Sequence, residues 1–168
     1  DVFIFCTFTY NIYKVYFCHE GKGRIGYPVI YLPKNHPIVE EYENLLLQDE
    51  LMPNWLGFVR GKLRPFVWTV MKQEFSPSDL GITIYGNDGF SRLAKRHKCF
   101  NKALNKDLFF HWTGKETDRL FKSIDFDSFI NNPKHLGIHI HRKHWENLPI
   151  NPGSFWEWAL SKYGNEIN

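Results

Sequence analysis

Apolar positions fall in short runs through the first third of the chain and at spacings of three and four further on. Val2 to Tyr10 and Ile12 to Cys18 are aromatic and β-branched, which predicts two strands of a hairpin turning at Asn11–Tyr13. Glu20 to Gly26 holds three glycines without the Gly-Lys-Ser/Thr ending of a phosphate loop, so it reads as a turn. Tyr27 to Leu32 predicts a short strand ending at Pro33. From Pro37 the spacing changes: Ile38, Tyr42, Leu45 and Leu46 share one helical face, with Glu40, Glu41 and Glu43 toward the positive end of the dipole. Phe58–Arg60 and Leu63–Lys72 predict two more strands around Gly61-Lys62, with Pro65 at an edge or bulge. Ile82–Tyr85 predicts a brief strand closed by Gly86-Asn-Asp-Gly89.

The second half is patterned for helices. One is expected from Phe90 to Lys106, with Phe90, Leu93, His97, Phe100 and Leu104 as its apolar stripe. Thr113-Gly-Lys-Glu116 has capping-box spacing and predicts a helix to about Ile124. Asn131-Asn-Pro133 breaks the chain before a strand over Leu136–His141. Ser154-Phe-Trp-Glu157 caps a last helix that stops at Gly164. The pattern is α+β, one domain over residues 1–168, with a β-rich N-terminal half of antiparallel hairpins and a more helical C-terminal half.

Composition adds little to this except at two points. Aromatic residues make up 17% of the 168 residues, which suits sheet packing, stacking platforms or interaction surfaces. Three cysteines, Cys6, Cys18 and Cys99, suit free thiols in a reducing compartment and a cytoplasmic location. A Cys6–Cys18 bridge is geometrically open to the expected hairpin, with the reduced state preferred. No apolar run reaches the ~18 residues of a membrane span, so no membrane partner is expected. Val2–Tyr10 is too short, and lacks the basic start, of a signal peptide.

Charge is concentrated. Arg92, Lys95, Arg96, Lys98, Lys102 and Lys106 lie in a segment without a single acid, in a chain whose net charge is only +3. Most recur on the side opposite the apolar stripe. A basic stripe suits a run of phosphates, or an acidic protein surface; a solvated outer face is the plain alternative.

The other candidate chemistry lies in His135-Leu-Gly-Ile-His-Ile-His-Arg-Lys-His144, which holds four of the eight histidines. On a strand His139 and His141 point to one face, and His144 or His135 across a bend would complete three nitrogens around an open metal position. Asp127, two residues after Asp125, is the candidate carboxylate ligand. The metal set is thus His135, His139, His141 and Asp127, with His139, His141 and His144 as catalytic candidates and zinc or magnesium as the ion. Basic surface histidines bonded to backbone carbonyls are the bland counterpart. His97, within an apolar stripe, reads as a half-buried hydrogen-bonded residue rather than a ligand. A strand with spaced histidines, after Asn-Pro and before a Trp-rich helix, resembles in outline the small histidine-metal nuclease domains of bacterial toxins. The paired histidines that open their finger are missing, and the outline does not assign the family.

Two functions are therefore expected to compete. One is a nucleic-acid-directed protein gripping phosphates with the basic helix, with metal-dependent phosphodiester hydrolysis if it is an enzyme. The other is a non-enzymatic interaction module, a small inhibitor or adaptor of phage- or mobile-element type, binding a protein partner.

Overall fold

Two glycines decide the first hairpin. Gly21 and Gly23 have φ of 113° and 69°, and a Cβ at either would meet nothing within 4 Å, so backbone conformation rather than space calls for glycine there. The structure, a computed structural model, describes residues 2–4, 11–21, 23–48, 52–71, 76–112, 116–140 and 148–164. It is α+β and forms two compact units: Tyr10–Leu104, and Asp1–Thr9 with Asn105–Asn168.

In the first of these, strands β2 (Tyr16–Gly21) and β3 (Arg24–Tyr31) pair antiparallel from Tyr16 opposite Tyr31 to Gly21 opposite Arg24. Helix α1 (Pro37–Leu46) starts as expected, with His36 as its cap: Nδ1 accepts from the Ile38 amide at 3.2 Å. Helix α3 (Asn87–Arg96) buries Gly89, Phe90, Leu93 and Ala94. The core gathers Phe17, Ile25, Ile38, Leu45, Trp55, Phe90, Leu93, Ala94 and Cys99.

Three expectations fail here. Residues 58–71 are not two strands: a π-helical turn, Val59–Leu63, runs into helix α2 (Arg64–Val70). The Arg64 amide donates to the Val59 carbonyl, and Pro65, which lacks an amide hydrogen, falls in the first turn of α2, where none is needed. Ile82–Ile84 is a 3-10 turn after Gly81 (φ 82°), and among the described residues it has no partner strand. Helix α3 stops at Arg96, ten residues short of Lys106, because Lys98 turns left-handed (φ 55°).

In the other unit, β1 (Val2–Ile4) pairs antiparallel with β4 (Gly137–His139), Val2 opposite His139. Val2–Ile4 thus pairs far along the chain, which no local turn announces, while the expected hairpin with Ile12–Cys18 falls mostly on residues outside those described. Residues 5–10, with Cys6, lie outside the described residues. Helix α4 (Phe126–Ile130) is capped by Asp125, and α5 (Phe155–Tyr163) by Ser154, the second as its box predicts. The Thr113 box falls partly outside the described residues, and in place of the expected helix Thr117–Phe121 forms a 3-10 turn. Phe121, Phe126, Ile138, Ile140 and Phe155 form the core, with Trp156 and Trp158 packed against it. Cys18 and Cys99 are buried, and no helix among the described residues is long and apolar enough to cross a membrane.

Candidate functional site

The basic residues owe their exposure to the packing of α3. Its buried side is held tightly: a Cβ on Gly89 would overlap the Ile84 carbonyl oxygen and stand 2.7 Å from Trp55 Nε1, which itself donates to that oxygen at 3.0 Å. With that side fixed, Arg92, Lys95 and Arg96 face solvent. The helix end is a Schellman motif. The Cys99 amide donates to Ala94 O at 2.9 Å and the Lys98 amide to Lys95 O at 3.1 Å, with Lys98 at the left-handed position that glycine ordinarily takes.

The six cations have different surroundings. Arg96 is tied down: Nη1 donates to both Glu41 oxygens, at 2.9 and 3.0 Å, and to Asn54 Oδ1 at 2.7 Å. His97, half-buried at the helix end, places Nε2 3.1 Å from Glu41 Oε1, as its place in the stripe suggests. Burial alone would raise the Glu41 carboxyl, but hydrogen bonds from Arg96, Asn54 and His97 outweigh it and hold it below its ordinary pKa. Lys106 belongs to the other unit and lies 3.9 Å from Asp107, both exposed.

Arg92, Lys95, Lys98 and Lys102 are exposed and, among the described residues, in no ion pair. Lys95 Nζ sits 4.6 Å from the centre of the Phe100 ring, a cation–π contact that leaves its charge outward. Burial first, then the charges of His97 and Lys102, keep the His36 imidazole below its ordinary pKa against the pull of Glu40.

The histidine stretch, in the other unit, is built differently from its sequence expectation. The His135 amide donates to Asn132 O, and its Nδ1 lies 2.8 Å from Phe129 O, as a donor would. That tautomer leaves Nε2 with the lone pair. The His135 ring is 4.1 Å from that of His111, whose Nε2 faces Gly137 O at 3.1 Å. His111 holds its pKa at about 4, through burial first and the neighbouring His135 second, against Gly137 O, Asp107 and Leu108. Sequence reasoning had nothing with which to join His111 to His135; the link is made by the Leu136 amide on Leu108 O and the His139 amide on Phe109 O. His139 packs its ring 5.1 Å from Phe110.

Asp127 is exposed in the first turn of α4, whereas Asp125 caps that helix by accepting from the Ser128 amide and hydroxyl. His141 and His144 lie outside the described residues. Among the described residues no group of three or more His, Cys, Asp or Glu is arranged to hold a metal ion. His135 and His111 are instead a pair of imidazoles, each turned to a backbone oxygen.

Comparison with protein-family models, with curated proteins and with solved structures gives no match.

Proposed function

We propose that the chain binds a polyanion, the phosphate backbone of nucleic acid, through Arg92, Lys95, Lys98 and Lys102 at the C-terminal end of α3. Lys98 carries this reading. Cations near a helix C-terminus complement its dipole and need no ligand to explain them. A lysine at the left-handed position of a Schellman motif is different, since glycine would hold the same turn without steric penalty. Conformational strain tolerated at an exposed cation that is in no ion pair among the described residues favours a role for the charge. Arg96, bound to Glu41 and Asn54, supports the surface rather than meeting the phosphates.

Four phosphate contacts predict a steep salt dependence, a log–log slope of about −3 to −4 on duplex DNA. Anisotropy of labelled DNA and RNA should show affinity falling about 100-fold between 50 and 200 mM salt. Lys95→Glu/Lys98→Glu should abolish retention. Salt-insensitive binding that survives those changes would favour the acidic protein surface instead.

Metal-dependent phosphodiester hydrolysis at His135, His139, His141 and His144 extends the same proposal. What favours it is the His135 tautomer, with Nδ1 engaged and Nε2 available as base or ligand. Plasmid and RNA incubated with Mg²⁺, Mn²⁺ or Zn²⁺ test it, with His135→Ala and His139→Ala/His141→Ala as controls. Cleavage undiminished in both controls removes the hydrolytic half and leaves a binding protein.

A further inference from the structure

The helical stretch from Val59 to Val70 buries none of its residues. Its large apolar side chains nevertheless recur at helical spacing: Val59, Leu63, Phe66, Val67 and Val70 form one stripe, at 63, 44, 65, 40 and 65% exposure. A stripe of this kind on a globular unit ordinarily faces a core, and this one faces solvent. Phe58 and Met71 extend it at either end, both exposed.

Charge says what should cover it. Residues 58–71 contain Arg60, Lys62 and Arg64 and no acid. By helical spacing Arg60 and Arg64 flank one edge of the stripe and Lys62 the other. Lys62 and Arg64 are in no ion pair among the described residues, and Arg60 reaches Asp88 only at 4.0 Å. Arg64 lies 5.1 Å from the Trp68 ring centre. An apolar stripe with cations along both edges matches a surface that is apolar below and negative on either side. An aqueous phosphate backbone offers no apolar complement.

We propose that this helix lies on an anionic lipid surface, with Phe66, Val59, Val70 and Leu63 inserted at the headgroup boundary and Arg60, Lys62 and Arg64 on the phosphates. Lying on a bilayer requires neither the length nor the all-round apolarity of a span. The inference goes beyond the polyanion reading and uses none of its residues.

Co-sedimentation of the full chain with phosphatidylcholine vesicles, and with 70:30 phosphatidylcholine–phosphatidylglycerol vesicles, tests it. Binding is expected to the mixed vesicles alone and to weaken with salt. Phe66→Asp/Val70→Asp should reduce it at least about ten-fold, and Lys62→Glu/Arg64→Glu should also reduce it. Phe66 and Val70 are exposed, so the fold should persist, which circular dichroism checks. DNA retention should be unchanged in Phe66→Asp/Val70→Asp, separating this surface from the α3 cations. Absence of vesicle binding, or binding undiminished in Phe66→Asp/Val70→Asp, overturns the proposal. So does a stable dimer that the same variant dissociates, for then a second copy covers the stripe.

Discussion

Lys98 is where conformation and chemistry disagree. Its φ of 55° favours glycine, yet its exposed charge stands among Arg92, Lys95 and Lys102. Lys98→Gly should therefore raise the urea unfolding stability by about 0.5–1 kcal/mol while weakening nucleic-acid retention. Loss of stability on that change would mean the side chain has a packing role. Gly89 is the opposite case, fixed by space rather than φ. A methyl group there would collide with a backbone oxygen that cannot yield without breaking the Trp55 hydrogen bond. Gly89→Ala should destabilise by about 2–3 kcal/mol, read from urea midpoints by tryptophan fluorescence.

Among the elements, those with their signals inside a few residues were legible. Pro37 at the start of α1 and Ser154 before α5 mark those helices where the chain shows them, and the glycine-rich turn closes the hairpin. Elements whose fate depends on distant partners were not legible. Residues 58–71 hold β-branched and aromatic side chains that suit strands, but the spacing of Val59, Leu63, Phe66, Val67 and Val70 is equally helical. Pro65 tips the balance, since it interrupts a ladder but fits a first helical turn. The length of α3 was misjudged because apolar spacing continues through Phe100 and Leu104 after the backbone has left the helix. Phe100 still packs onto the core, and Leu104 is held by backbone bonds with Phe17 and His19. The cationic surface was thus visible as charge in the sequence, but its division into free and tied residues required Glu41 and Asn54. The histidine site was legible only as composition, because pairing His135 with His111 needs backbone bonds between segments that share no pattern.

At the scale of the whole molecule, His111 makes stability depend on pH. Its folded pKa of about 4 lies below the ordinary 6.5, so the unfolded chain binds the proton more readily between those values. The contribution is complete above pH 6.5 and is lost as pH falls toward 4. Its size is about 2 kcal/mol once partial solvent contact of the ring is allowed for. Urea unfolding followed between pH 7 and pH 4 should show that decline, and His111→Phe should flatten it. A decline of equal size in the variant would assign it to other groups.

The pairing of Val2–Ile4 with Gly137–His139 gives the chain a nested order, with residues 10–104 forming a unit inserted between two parts of another. As the polypeptide leaves the ribosome, the inserted unit has its whole sequence before β4 has been made. Val2–Ile4 must then wait for Gly137–His139 until more than a hundred further residues have been synthesised.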